Sequence, residues 1–171
     1  MPSAALCGLG CHELTHISGF SPKVAPQNFC IFGAQYYEEE ELENIEKLGI
    51  NLFSMNDIIE KGLPHCLEEA IELISDKTES IHVSFDLDAI DEQDAPGTTE
   101  PSKGQFTYRE INYILKKLSE TGKVGSLDIC EYDVSKDVRD TTIKLVIELI
   151  AKLLGKSYSE YDEYLNNNLV Q

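Results

Sequence analysis

Short apolar segments alternate with longer amphipathic segments along most of the chain. Four short segments have the length and apolar character of buried β-strands, and they cover residues 29–33, 50–55, 81–85 and 124–130. Between them, apolar residues recur at three- and four-residue spacing, which is the period of one helix face. Strands that alternate with helices predict an α/β fold with a parallel sheet.

Three helices are indicated between or beyond these strands. The first two cover Glu39 to Leu48 and Pro64 to Ser75. The third is signalled at both ends, because Thr107 and Glu110 have the spacing of a capping box and Gly122 follows the last apolar position. The segment between the third and fourth strands therefore predicts a capped helix.

The end of the chain holds a last helix and a polar segment. The helix is predicted from about Asp140 to Leu154, where Gly155 would end it. Residues 158–171 show no sustained period. No repeat or linker divides the chain, so we expect one domain over residues 1–155 and a polar tail over residues 156–171.

Composition and charge narrow the possible partners. The 171 residues include 31 Asp and Glu against 14 Lys and Arg, for a formal charge of −17. Such a chain repels nucleic acid and anionic lipid, and no apolar run is long enough to span a bilayer. No secretory signal is visible, so the cytosol is the expected compartment.

Five scattered cysteines are an odd number without paired Cys-x-x-Cys spacing. This pattern predicts reduced thiols instead of a disulfide framework or a zinc ribbon. Cys30 and Cys130 lie in apolar segments, where we expect each thiol to behave as a small hydrophobic group.

The first candidate for chemistry is His12-Glu13-Leu14-Thr15-His16, which matches the His-Glu-x-x-His pattern of zinc peptidases. Gly8 and Gly10 precede the motif and Pro22 follows it, which leaves little room for the long helix that such a site requires. We expect a chance match, with a zinc peptidase as the alternative.

The second candidate is a set of acidic residues at the predicted strand ends. Asp86 and Asp88 close a buried strand, and in an extended backbone their carboxylates point to the same side. Such oxygen ligands suit a divalent cation, although an aspartate pair is equally common in a turn. Glu131 follows another strand and should reach the same edge. The run that begins at Glu38 is explained by the dipole of the helix that follows it.

Four motifs make the pattern specific: residues 84–91 (SFDLDAID), 95–98 (APGT), 107–110 (TYRE) and 126–131 (SLDICE). In identity and spacing they resemble the carboxyl-terminal half of the arginase and agmatinase (ureohydrolase) family, and arginase is the closer match. The similarity covers nearly all of residues 1–155. It implies a three-layer α/β/α fold, in which a parallel sheet has helices on both faces, without the amino-terminal half of that fold.

The resemblance also implies a site and a reaction. The family holds two manganese ions, bridged by a hydroxide that attacks the guanidinium carbon of arginine and gives urea and ornithine. By that resemblance Asp86 would bridge both metals and Asp88 would bind one. Glu131 would hold the substrate guanidinium, Glu38 would lie near the substrate's amino group, and Asp128 would be a structural support.

Several features of the family's pattern are missing. The ligand segments Gly-Gly-Asp-His and Asp-Ala-His-x-Asp are absent, as is the histidine that shuttles protons, so no catalytic residue is assigned. Met1 and Pro2 align with an internal Met-Pro of the family, and Glu92, Glu100 and Val134 replace its usual residues. We therefore expect an incomplete chain, weakly active or inactive alone.

Two alternatives remain open at this point. One is a catalytically dead subunit that acts by association, either as a homo-oligomer or by completing a partner chain. The other is an agmatinase or a different guanidino or formimino hydrolase.

Overall fold

The structure is a computed structural model that describes residues 2–156. The described residues form two compact units, which divide between Thr78 and Glu79. Each unit contains one pair of parallel strands together with helices. The chain therefore has the α/β fold with parallel strands that the sequence predicts. The predicted tail lies outside the described residues from position 157 onwards.

The first unit holds two paired strands and five α-helices. In chain order its elements are α1 (Pro2–Leu6), α2 (His12–Thr15), two 3-10 turns (Ile17–Gly19 and Pro26–Asn28), β1 (Cys30–Ala34), α3 (Glu39–Leu48), β2 (Asn51–Ser54), α4 (Met55–Lys61) and α5 (Leu63–Ser75). The pairing of β1 with β2 is parallel, and Phe32 lies opposite Phe53 with their ring centroids 5.8 Å apart. Helices α4 and α5 contact both strands and bury Ile58, Cys66 and Leu67.

Helix α4 is an element that the sequence patterns did not predict. The second strand was expected to run to Met55, but it ends at Ser54 and Met55 begins the helix. The Ser54 hydroxyl accepts a hydrogen bond from the Asp57 amide at 3.1 Å, and the Asp57 carboxylate accepts one from the Ser54 amide at 3.1 Å. This reciprocal cap satisfies amides that a new helix leaves without partners, and so it allows α4 to start directly after the strand.

The second unit has its own strand pair and two long helices. Its elements are β3 (Ile81–Asp86), a 3-10 turn (Leu87–Ala89), α6 (Tyr108–Glu120), β4 (Val124–Cys130) and α7 (Thr141–Leu153). Strands β3 and β4 run parallel, with Ser84 opposite Asp128 and Asp86 opposite Cys130. Helices α6 and α7 pack against each other. The buried apolar side chains of this unit include Leu87, Ile90, Phe106, Ile111, Leu115, Val146, Leu149 and Leu153.

The two long helices start in different ways. Helix α6 has the predicted capping box, in which the Glu110 carboxylate accepts a hydrogen bond from the Thr107 amide at 2.8 Å. Helix α7 begins at Thr141, close to the predicted start, but Asp140 makes no side-chain cap. The carboxylate of Asp137 instead accepts hydrogen bonds from the amides of Thr142 and Ile143 at 2.9 and 3.0 Å.

Two further findings concern membrane segments and thiols. Within residues 2–156, every helix is too short or too polar to cross a membrane. All five cysteines fall in this range and are free thiols, as the sequence predicts.

Candidate functional site

The carboxyl ends of β3 and β4 lie side by side and carry acidic residues. Asp86 is the last residue of β3 and pairs with Cys130, the last residue of β4. Glu131 follows Cys130 directly, and its negative charge contributes to raising the pKa of Asp86. The parallel register therefore brings Asp86 and Glu131 to one edge, as predicted from their positions after two strands.

The backbone between Asp86 and Asp88 is not extended, in contrast to the prediction. It turns after Asp86 into the 3-10 segment Leu87–Ala89, because the Asp88 amide donates a hydrogen bond to Asp86 Oδ1 at 2.9 Å. Asp88 Oδ1 accepts a hydrogen bond from the Glu100 amide at 2.9 Å. Asp86 and Asp88 thus each use one carboxylate oxygen in the local structure and keep Oδ2 for a ligand.

The electrostatics of Asp86 favour a bound cation. Partial burial raises the pKa of its carboxyl, and the charges of Asp88 and Glu131 raise it further. A positive ion beside these groups would relieve both effects, because it stabilises the charged carboxylate.

The ligands available for a metal are limited. Among residues 2–156 there is no group of three or more His, Cys, Asp or Glu side chains that could hold a metal ion. Asp86 and Asp88 are hard oxygen donors of the kind that manganese prefers. They therefore fit as two members of a larger ligand set and do not form a complete site.

Glu131 is held in an unusual backbone conformation. Its φ is +64°, in the left-handed region that residues other than glycine seldom adopt. The Glu131 carbonyl accepts a hydrogen bond from the Thr99 amide at 2.9 Å, and the backbones of Thr98 and Tyr132 form an isolated antiparallel β-bridge. The loop before α6 thus fixes the segment that carries Glu131, and non-glycine residues with such strain are found most often at functional sites.

A network of polar side chains covers one face of β3 and β4. His82 contacts Ser126 Oγ through Nδ1 and Asp128 Oδ2 through Nε2, both at 2.7 Å. Ser84 and Cys130 each donate a hydrogen bond to Asp128 Oδ1, at 2.8 and 3.2 Å. These contacts hold the pKa of the Asp128 carboxyl below its usual range. The structural role expected of Asp128 stays a prediction. The hydrogen bonds to His82, Ser84 and Cys130 are the contacts through which Asp128 would support the strands.

Most of this network was not predicted from the sequence. The signal was present, since polar residues occupy every second position of both strands, but the apolar residues between them dominated the interpretation. Cys130 corrects one expectation: it is exposed and hydrogen bonded instead of packed as a small hydrophobic group. Cys30 is half-buried, and burial raises the pKa of its thiol to about 12.

Glu38 belongs to the first unit, whereas Asp86, Asp88 and Glu131 belong to the second. Glu38 precedes the first residue of α3, and its amide donates a hydrogen bond to Glu41 Oε2 at 3.0 Å. Acidic residues therefore lie at the start of this helix, where they were expected, and their effect on the helix dipole stays a prediction. Glu38 also lines an open pocket of about 320 Å³, together with Gln35, Tyr36, Tyr37 and Glu41. Carboxylate and aromatic groups in one pocket suit an ammonium ligand.

The His-Glu-x-x-His motif lies on a short helical turn. Helix α2 has four residues, and the rings of His12 and His16 stack with their centroids 4.1 Å apart. A zinc peptidase needs a third protein ligand, and the part of the chain that the structure describes has no three-residue ligand group. The motif is therefore not a peptidase site within these residues.

Comparison with known proteins gives consistent matches. The arginase from Bacillus caldovelox is 33% identical over 156 residues, which are 91% of this chain and 52% of that protein. The crystal structure of arginase from Bacillus subtilis matches with a TM-score of 0.88 at 33% identity, over 93% of this chain and 56% of that one. The Entamoeba histolytica arginase in complex with L-ornithine matches with a TM-score of 0.80 at 28% identity, over 91% and 52%.

The chain spans about half the length of the relatives it matches. The model of the arginase family matches residues 15–155, which include both strand pairs and the acidic strand ends. Together with the parallel α/β fold, this match shows that the chain belongs to the arginase family.

Proposed function

We propose that this chain carries part of a ureohydrolase site that hydrolyses the guanidinium group of L-arginine to ornithine and urea. The observation that carries the proposal is the meeting of Asp86, Asp88 and Glu131 at the ends of two parallel strands in a member of the arginase family. The complex of the Entamoeba histolytica arginase with L-ornithine supports arginine as the substrate, because ornithine is the product of that hydrolysis.

Asp86 and Asp88 are the residues that would hold manganese. Both offer carboxylate oxygens, and the raised pKa of Asp86 reflects acidic neighbours that a cation would compensate. Manganese, when bound, lowers the pKa of water so that the water can attack the guanidinium carbon near neutral pH.

The acidic residues beyond the metal ligands would bind the cationic substrate. Glu131 can accept paired hydrogen bonds from a guanidinium group, which is the arrangement that planar guanidinium favours with a carboxylate. Its position is fixed by the Thr99 contact. Glu38 would bind the amino group of the substrate, and it is one methylene longer than the aspartate that the family resemblance places there.

We further propose that the 171 residues alone have little or no activity. Two aspartates cannot hold two metal ions, and no larger ligand group occurs among residues 2–156. The experiment is to measure urea release from arginine with added Mn²⁺. Robust turnover by this chain alone would contradict the proposal of an incomplete site.

A binding measurement tests the metal ligands without requiring turnover. Electron paramagnetic resonance reports free Mn²⁺, so a titration gives the affinity of the chain for the ion. We expect weak binding, with a Kd on the order of 0.1 to 1 mM, as for sites with few ligands. Asp86→Asn should weaken it at least several-fold, while Glu79→Gln, an exposed carboxylate of the same unit, should not. Equal affinities for Asp86→Asn and the unchanged chain would remove the basis for this site.

A further inference from the structure

We propose that His12 and His16 form a surface site for one borderline divalent cation of the class of Zn²⁺ and Ni²⁺, bound by both imidazoles. The site lies in the first unit and uses none of the residues of the proposed ureohydrolase chemistry. It also involves a residue outside the match to the family, because that match begins at residue 15. His16 lies within that match and His12 lies before it.

The backbone places the two imidazoles together. The His16 amide donates a hydrogen bond to the His12 carbonyl at 2.9 Å, so the two residues are one helical turn apart on the same face. Their rings are exposed and nearly parallel, with an interplanar angle of 10° and centroids 4.1 Å apart. Two histidines at this spacing are the imidazole pair that zinc-binding helices use.

The two rings lie near enough to each other for both to reach one ion. Zinc binds imidazole nitrogen at about 2.0–2.1 Å with tetrahedral angles, which places two ligating nitrogens about 3.3 Å apart. An imidazole nitrogen binds a metal ion in the plane of its ring, so the stacked rings of His12 and His16 must rotate out of their parallel arrangement to direct one nitrogen each at the same ion. The shared helical turn keeps both side chains within reach of the ion, and the loss of the stacked arrangement is a cost that binding must offset.

Thr15 sets the orientation and the proton position of the second ring. Its side chain is buried, and its Oγ1 lies 2.9 Å from His16 Nδ1 and 3.2 Å from the Cys11 carbonyl. When the hydroxyl donates to that carbonyl, its oxygen accepts the proton on His16 Nδ1. His16 Nε2 is then left with a lone pair for a metal. Metal-binding histidines commonly have the other ring nitrogen held by such a hydrogen bond.

The turn beneath the pair is anchored independently of any metal. The Lys23 ammonium group donates a hydrogen bond to the Thr15 carbonyl at 3.2 Å and lies 4.0 Å from the centre of the Phe20 ring. The Lys23 amide donates to the Leu6 carbonyl at 2.8 Å, which ties this segment to α1. These contacts therefore hold the backbone that carries His12 and His16 in place.

The described residues supply no third protein ligand to the pair, so water would complete the coordination. A site of this kind binds its ion reversibly, and it is not required for folding. It also keeps open positions for a ligand from solution or from another molecule.

The test is a calorimetric titration of the whole chain with Ni²⁺ at physiological salt, which weakens binding to scattered surface carboxylates. We expect one ion at the imidazole pair, beside any ion held by Asp86 and Asp88, whose contribution Asp86→Asn reduces. His12→Ala and His16→Ala should each weaken binding by at least about tenfold, because loss of one imidazole removes the second, intramolecular contact. His65→Ala is the matched control, since His65 is an exposed histidine on α5 outside the pair, and it should leave binding unchanged.

A second readout follows the imidazoles themselves. On titration with Zn²⁺, the ring resonances of His12 and His16 should shift together in NMR spectra, while those of His65 stay in place. Thr15→Val should weaken binding several-fold and Thr15→Ser should restore it, if the hydroxyl orients His16. Unchanged affinity in His12→Ala, or an equal loss in His65→Ala, would overturn the proposal. Asp86→Asn leaves this site untouched, so failure of the manganese site is seen separately.

Discussion

The exposed carboxylate of Asp128 is the acceptor of several side-chain hydrogen bonds. Three side chains, His82, Ser84 and Cys130, meet its two oxygens, and these contacts lower its pKa. A group whose pKa is lowered in the folded state stabilises that state above its unfolded pKa of about 3.9 and loses this effect as the pH falls through the lowered value.

We predict that Asp128→Asn reduces the free energy of unfolding by about 1 kcal/mol at neutral pH, a modest value because solvent screens the network. At an acidic pH below the lowered pKa of Asp128, the difference between the two proteins should shrink, since protonation removes the same charge in the unchanged chain. Urea unfolding at both pH values measures it, with Glu79→Gln as the control. A difference that does not change with pH would show that the charge of Asp128 is unimportant.

At the scale of single residues, the sequence predicted that the acidic strand ends lie together but not their detailed geometry. Asp86 and Glu131 could be placed together because strand ends in a parallel sheet share an edge. The turn at Asp88 could not be predicted, because two aspartates separated by one residue occur both as an extended pair of ligands and in a capped turn. The left-handed backbone of Glu131 depends on Thr99, which is distant in sequence.

The helices show the same contrast at the scale of elements. The start of α6 can be predicted from the sequence because Thr107 and Glu110 are three residues apart, and the side chain of each accepts a hydrogen bond from the amide of the other. The start of α7 was also predicted closely, but its cap was not, because Asp137 reaches the helix amides across Arg139 and Asp140, which both adopt left-handed backbone conformations. A cap that depends on two such residues has no short sequence signature.

Replacing the two aspartates before α7 separates the real cap from the apparent one. We predict that Asp137→Ala lowers the free energy of unfolding by about 1 to 2 kcal/mol, because it removes the acceptor for the amides of Thr142 and Ile143. Asp140→Ala should cost no more than about 0.5 kcal/mol, since Asp140 makes only an exposed ion pair with Lys144 at 3.9 Å. Thermal or urea unfolding of both variants provides the comparison. A larger loss of stability in Asp140→Ala than in Asp137→Ala would show that Asp137 is not the residue that caps α7.

Two opposing properties govern association of the whole molecule. Several large apolar side chains are about three-quarters exposed, among them Tyr36, Ile59, Val134 and Leu154, at 79, 74, 74 and 78%. Each such side chain gains free energy when another surface removes it from water. The formal charge of −17, in contrast, makes two copies of the chain repel each other.

These properties predict self-association that depends on salt. At low ionic strength repulsion reaches far and should keep the chain near its monomer mass of 19.2 kDa. At high ionic strength the charges are screened over about 3 Å while apolar contacts persist, so the mass should rise toward a dimer or larger species. Size-exclusion chromatography with light scattering, run at both salt concentrations, measures this. A monomer under both conditions would count against a homo-oligomer and would leave a less acidic partner chain as the complement, because such a partner binds an acidic surface most strongly at low salt.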